Sequence, residues 1–271
     1  MTPSAPIART LAAQAWVDVA EPLDLQLSPL GLRAMDALAP QLGETVIDVG
    51  CGAGQSSLQL AERVGAGGRV IGLDIAPLLL EVAKWRAVAL PQLRFIEGDA
   101  QTIDLAPASA DGLYSRFGVM AFTDADTAFA NFRRALKPGG RLAFVCWRSL
   151  EENELDLLPL KAAGLEAMVD ATPFSFADPA HIRAVLESAG FSGVTVEAHD
   201  EIVSSGGLDA MAEVLLAVGP LGRILRENPE LRPAAEPRVR AALAVRDVGG
   251  RIALKAATWI VTARAGDELT K

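Results

Sequence analysis

Between residues 45 and 147 the chain alternates short apolar runs with segments of helical period. Thr45-Val46-Ile47-Asp48-Val49 is a β-branched run that stops at Gly50. Leu58, Leu60, Ala61 and Val64 then predict a helix closed by Gly65. Arg69-Val70-Ile71-Gly72-Leu73 is a second strand ending at Asp74, and 76–89 reads as a helix with Leu78, Val82, Trp85 and Ala89 on its inner face. Residues 93–96 predict a third strand and 111–114 a fourth. Phe129, Phe132 and Leu136 form the stripe of another helix, stopped by Lys137-Pro138-Gly139-Gly140, and 141–147 is a fifth strand. These strands are apolar throughout instead of alternating, which marks strands covered on both faces. The pattern therefore predicts a mostly parallel, doubly wound α/β sheet.

The remainder is less regular. Residues 150–175 are Ala-rich and helical in pattern. Asp178-Pro179 supplies an N-cap followed by proline at the first helical position. Ile182, Val185, Leu186 and Ala189 give that helix its apolar face, and Gly190 ends it. A strand is expected at 194–198, then two or three helices over 208–247, broken at Gly219-Pro220, Pro229 and Pro233, and a last strand at 256–264. The Pro/Ala-rich opening dozen residues are expected to be loose. The organisation expected is one domain over 1–271. It comprises an N-terminal helical cap at 1–44, a core at 45–148, helical insertions at 149–177 and 206–250, and the last strand. The stripe Met211, Leu215, Val218, Leu221 and Leu225 reads first as core or as the surface of a homodimer. Its second reading is a lid over an apolar acceptor.

Composition narrows the partners. The 271 residues carry a formal charge of −9, with 51% hydrophobic and 22% charged residues. That balance argues against a nucleic-acid partner, whose backbone is held by clustered Lys and Arg. A mean hydropathy of +0.27 raises the question of a membrane span. The longest uncharged stretch, 49–61, is rich in Gly, Ser and Gln and far short of the roughly 20 apolar residues of a span. Two cysteines, Cys51 and Cys146, and two isolated histidines make neither a disulfide framework nor a metal-ligand set. The expected setting is reducing and cytoplasmic.

The chemistry concentrates in Asp48-Val49-Gly50-Cys51-Gly52-Ala53-Gly54-Gln55. Glycines that follow a strand and open a helix let a ligand approach the backbone, where the helix start offers free N–H groups. Asp74 ends the next strand, about 20 residues on, where a carboxylate accepts both hydroxyls of a ribose. Asp99 follows the third strand, within reach of an adenine edge. Two nucleoside cofactors fit this layout. A dinucleotide fingerprint wants glycine where Gln55 stands, and Asp48 would repel a pyrophosphate. S-adenosylmethionine carries a sulfonium and an ammonium, which Asp48 favours. An NAD(P)-dependent oxidoreductase and a non-methylating S-adenosylmethionine-binding protein stay open as alternatives.

Taken together, Val46 to Gly54, Gly72-Leu73-Asp74-Ile75, Glu97-Gly98-Asp99-Ala100 and Arg134 to Leu142 resemble the class I S-adenosylmethionine-dependent methyltransferases. The similarity is to the small-molecule group that includes ubiquinone- and menaquinone-type enzymes. It implies a Rossmann-like sheet of seven strands with the last antiparallel, and S-adenosylmethionine as cofactor with S-adenosylhomocysteine as product. It also implies roles residue by residue. Asp48, Gly50, Cys51, Gly52 and Gly54 would hold the methionine moiety. Asp74 would bind the ribose, Ile75 would pack on the adenine, and Asp99 and Ala100 would meet the adenine amino edge. Arg116 would border both cofactor and acceptor.

Plainer readings stand beside these. Each aspartate is also a turn former, and Arg116 could pair with a surface acid. No catalytic base is evident, because an activated methyl needs alignment and exclusion of water above all. Should the acceptor need deprotonation, His181, His199 and Tyr114 are the candidates. His181 and His199 read equally as residues of solvated faces.

Overall fold

The computed structural model describes residues 5–266, and their side chains from residue 10 onward. The helices are α1 (Ala5–Asp18), α2 (Ala20–Leu38), α3 (Gln55–Val64), α4 (Pro77–Arg86), α5 (Ala125–Ala135), α6 (Glu154–Ala163), α7 (Pro179–Ser188), α8 (Leu208–Ala217), α9 (Gly219–Glu227) and α10 (Arg232–Ala244). The strands are β1 (Thr45–Val49), β2 (Arg69–Asp74), β3 (Leu93–Glu97), β4 (Ala110–Arg116), β5 (Leu136–Trp147), β6 (Phe191–Gly206), β7 (Asp247–Val248) and β8 (Arg251–Ala265). The opening residues are helical from Ala5, while 1–4 lie outside the described part. The chain gathers into two compact units. Residues up to Pro29, Trp147–Phe174 and Asp200–Ala257 form one; Leu30–Cys146, Ser175–His199 and Thr258 onward form the other.

Strands β1 to β4, and β5 as far as Cys146, belong to the second unit. Seven strands lie on one path, β3-β2-β1-β4-β5-β8-β6. The pairs β1–β2, β1–β4, β2–β3 and β4–β5 are parallel, as the continuous apolar runs require. In this register Asp48 lies beside Gly72 on one flank and Tyr114 on the other, so the C-terminal ends of β1, β2 and β4 are level. The helices follow from their sequence. Leu60, Ala61 and Val64 bury one face of α3, and Gly65, at φ 67°, ends it. Asp124 caps α5 by accepting from the Thr127 N–H at 3.0 Å, and Asp178 caps α7 through the Ala180 N–H at 2.8 Å. Phe129 is the centre of an aromatic core, with Phe132, Phe144, Phe176 and Phe191 at ring distances of 5.5 to 6.5 Å.

In the first unit, α10 packs on α6 and α8, and α9 on α8 and α6. Met211, Leu215, Val218, Leu221 and Leu225 are all buried there, which makes that stripe a helical core. Asn153 is fully buried before α6. Its side-chain oxygen accepts from the Ala257 N–H at 2.7 Å while its amide donates to the Ser149 carbonyl at 3.0 Å. The hairpin of β7 and β8 is antiparallel. Among the described residues no helix is long and apolar enough to cross a membrane.

Three expectations are corrected. Helix α4 buries Leu79, Leu80 and Ala83, whereas Trp85 is 78% exposed. Leu78 to Leu80 are apolar in a row, so periodicity alone could not pick the face. Leu136 opens β5 instead of closing α5, and the ladder shifts register between Ala110–Leu136 and Gly112–Arg141, which absorbs Pro138-Gly139-Gly140. Strands β6 and β8 are much longer than the short apolar runs that announced them.

Candidate functional site

The turn after β1 is built by glycines with different tasks. The Gly50 and Cys51 N–H groups donate to the Leu73 carbonyl at 2.8 and 3.0 Å, pinning the turn to β2. Gly50, Gly52 and Gly54 all have positive φ, of 69°, 54° and 88°, a region that disfavours any side chain. A Cβ on Gly50 would lie 2.7 Å from Gly118 Cα, and one on Gly54 would lie 2.8 Å from Ala83 Cβ. These two glycines therefore let backbone elements close up. At Gly52 a Cβ would meet nothing within 4 Å, so this peptide faces open space.

Asp48 lies at the floor of that turn, fully buried. It is a strand residue, not a turn former. Its Oδ2 accepts from Ser56 Oγ at 2.7 Å and Ser57 Oγ at 2.6 Å, both from the first turn of α3. Its Oδ1 is buried without a hydrogen-bond partner. Burial pushes the carboxyl up to about 6, the two serines and the Arg116 charge hold it down, and Asp74 adds a smaller upward push. A buried acceptor left open in this way is costly unless something occupies it.

The neighbouring strand ends carry the other expected residues. Asp74 accepts from the Gly52 N–H at 2.8 Å through Oδ2 and from the Ala76 N–H at 2.9 Å through Oδ1, and burial raises its pKa. It thus closes its own turn and also fixes Gly52. Ile75, beside it, is 59% exposed. Asp99 accepts from the Gln101 N–H at 2.9 Å and the Gln101 side-chain amide at 3.0 Å, which is the turn-forming reading realised. Ala100 is buried, and its carbonyl accepts from Asn131 Nδ2 at 3.1 Å. Arg116 is the last residue of β4 and donates from Nη1 to Gln55 Oε1. Cys51 is buried, and burial raises its thiol far above the ordinary range. Its sulfur sits over Gly72, where a Cβ would come within 3.0 Å of it.

The structure thus brings Asp48, the glycine turn, Asp74, Asp99 and Arg116 onto four adjacent strand ends, in the order β3-β2-β1-β4. Sequence reasoning missed Ser56 and Ser57, although two serines directly after a glycine turn were the available signal. It also missed the clamp on the other side. Ser115 donates to the Val49 carbonyl at 2.7 Å and receives the Gly118 N–H at 3.1 Å. Between them Phe117 is held at φ 61°, a conformation an aromatic residue adopts only at a cost of about 1–3 kcal/mol.

The three base candidates lie differently. Tyr114 is fully buried, its hydroxyl donates to the Gly31 carbonyl at 2.8 Å, and burial raises its pKa well above the ordinary value. A phenol in that state braces the wall and is poorly suited to accept a proton. His181 is exposed on α7 and stacks on Phe176 at 5.5 Å. His199 is half-buried in β6, where its carbonyl accepts from Thr258 Oγ1 at 2.9 Å. Among the described residues no group of three or more His, Cys, Asp or Glu is placed to hold a metal ion.

Residues 46–140 match a family described as "Methyltransferase domain". The chain is 31% identical over 175 residues to 2-phytyl-1,4-naphtoquinone methyltransferase of Thermosynechococcus vestitus, covering 59% of this chain and 78% of that protein. It is 27% identical over 200 residues to demethylmenaquinone methyltransferase of Staphylococcus epidermidis, covering 66% and 78%. A solved structure of Haemonchus contortus phosphoethanolamine N-methyltransferase 2 shares the fold, with a TM-score of 0.56 at 20% identity over 89% of this chain and 53% of that one. On the sequence matches, the chain belongs to the class I S-adenosylmethionine-dependent methyltransferases, in the group that resembles the quinone methyltransferases.

Proposed function

We propose that Asp48, the Gly50–Gly54 turn, Asp74, Ile75 and Arg116 hold S-adenosylmethionine, and that the chain methylates a small, partly apolar acceptor of the quinol or phenol type. The observation that carries this reading is Asp48 Oδ1, buried and without a partner beneath an open glycine turn. An acid there suits a cationic head and repels a pyrophosphate. When bound, S-adenosylmethionine supplies a methyl already activated on a sulfonium, open to in-line attack by a nucleophile.

The chain's own residues divide the remaining work. Asp48 Oδ1 would accept the ammonium of the amino-acid head, with Oδ2 kept in place by Ser56 and Ser57. Arg116, of opposite charge and one strand over, would take the carboxylate. Asp74 has accepting capacity left after Gly52 and Ala76, since a carboxylate offers about four lone-pair sites, and would use it on the ribose hydroxyls. Ile75 offers an exposed apolar face for the adenine. Asp99 is engaged with Gln101, so its part at the adenine edge would be to shape the turn that presents Ala100. The acceptor class rests on the quinone substrates named for two relatives.

The test is a labelled-methyl transfer assay against quinol, phenol, amine, thiol and carboxylate panels, with calorimetry of S-adenosylhomocysteine and NADH alongside. Transfer to a quinol or phenol, with binding of S-adenosylhomocysteine alone, is the expected result. Binding of NADH in its place would overturn the cofactor assignment, and transfer only to amines, thiols or carboxylates would overturn the acceptor class.

A further inference from the structure

Gly31 lies within α2, where its φ is not positive, so no turn requires a glycine. Glycine inside a helix is less favourable than alanine, and the position is buried, where a methyl group would normally stabilise. The surroundings account for it. A Cβ at residue 31 would come within 2.7 Å of Arg116 Cδ, 2.9 Å of Tyr114 Oη and 3.5 Å of Arg116 Cγ. The Arg116 stem therefore occupies the space that any other residue at 31 would fill. The peptide of Gly31 is itself fixed, because its carbonyl receives the Tyr114 hydroxyl at 2.8 Å. Beyond this notch the guanidinium donates to Gln55, the residue that follows Gly54 and opens α3.

We propose that Gly31 is a positioning residue for Arg116: the missing side chain at 31 is the channel through which the arginine reaches Gln55 and the amino-acid end of the cofactor. This inference rests on the cofactor site argued above. Tyr114 holds the helix at the correct distance, so the same residue that is too buried to act as a base keeps the notch open. The charge brought in by this route has a second effect. Asp48 is faced by Ser56 and Ser57 of α3, by Arg116 and Tyr114 of β4, by Asp74 of β2 and by the Cys51 thiol. Arg116 is the one cation among these groups and favours the ionised carboxyl that an ammonium needs.

The experiment is calorimetry of S-adenosylhomocysteine with wild type, Gly31→Ala, Arg116→Ala and the double variant, from about pH 5 to about pH 8. Each single variant is expected to lose at least about tenfold in affinity, the size of one charge-assisted hydrogen bond. The double variant is expected to be no weaker than Arg116→Ala. In all three, the pH below which binding fades moves upward, because Asp48 has lost its neighbouring cation. A purely structural role for Gly31 would not move that pH. If wild type does not bind S-adenosylhomocysteine, the cofactor reading itself fails. If wild type binds and either single variant matches it, or the losses in the double variant add, the positioning role alone is overturned. Melting curves cover a folding defect. Should Gly31→Ala melt early, the double variant, with the stem removed and the Tyr114 hydroxyl alone left 2.9 Å from the new Cβ, loses less than the two single variants together; losses in melting temperature that simply add also overturn the inference.

Discussion

Gly118 closes against Gly50 so tightly that a Cβ on Gly118 would lie 2.9 Å from Gly50 Cα and 2.5 Å from the Val49 carbonyl oxygen. Both obstacles are backbone, so neither can swing aside. The loop after β4 is thereby locked onto the turn after β1, with Ser115 bridging the two. Gly118→Ala is expected to destabilise the protein by about 1–3 kcal/mol, the usual cost of forcing extra volume into a packed site. It should also weaken S-adenosylhomocysteine, because the turn must shift to make room. Urea melts and calorimetry read the two effects, and wild-type values for both would show the contact to be slack.

Asp48 links stability to pH. Its folded pKa, about 6, stands above the ordinary 3.8, so folding favours the protonated form. Its contribution is complete below about pH 4 and is lost as the pH rises through about 6. Asp48→Asn cannot ionise and is expected to gain on wild type across that window by on the order of 3 kcal/mol in the ligand-free protein. The same variant should bind S-adenosylmethionine poorly at neutral pH, since the ammonium has lost its counter-charge. Stability curves that run parallel from about pH 4 to about pH 7.5 would contradict the assignment.

Asp156 is expected to behave similarly for a simpler reason. It is buried in α6, its Oδ2 has no hydrogen-bond partner, and burial alone raises it to about 7. Wild type should therefore lose stability as the pH rises from about 4 through about 7, and Asp156→Asn should remove that part of the slope. A variant whose stability falls with pH as steeply as wild type would mean that the carboxyl stays ionised or finds water.

Asp74 holds the Gly52 and Ala76 N–H groups as well as any ribose. Asp74→Ala is expected to cost at least about 1.5–3 kcal/mol of S-adenosylhomocysteine affinity. Unchanged affinity in calorimetry would end the ribose assignment.

Ile75 separates binding from folding. With 59% of its surface exposed, Ile75→Ala should change stability by no more than about 0.5 kcal/mol. It should still weaken S-adenosylhomocysteine measurably, because the apolar face offered to the adenine is gone. Equal affinity for the two proteins would remove Ile75 from the site.

The core strands could be read directly because their central runs, 46–49 in β1, 70–73 in β2 and 142–146 in β5, are covered on both faces and therefore mostly apolar. The same logic hid the ends of β6. Glu197, His199, Asp200 and Glu201 interrupt its apolar run, yet β6 ends the sheet order, and a strand with one open flank tolerates polar side chains. Helix α4 was misread for the opposite reason: with Leu78, Leu79 and Leu80 in a row, the packing against β3 and β2 had to choose its face.

What the sequence by itself determined is the order of apolar strands and helices, and the placing of Asp48, Gly50, Gly52, Gly54, Asp74 and Asp99 at strand ends. These are local properties, set by periodicity and by backbone conformations that glycine tolerates best. Only the tertiary structure decided which of the glycines is open. Gly50 and Gly54 are filled by Gly118 and Ala83, and Gly52 faces space. It also decided that Ser56 and Ser57 occupy one oxygen of Asp48 and leave the other bare, and that Gly31, from a helix far back in the chain, admits Arg116. These relations join residues distant in sequence through close packing, and close packing is settled when the elements meet.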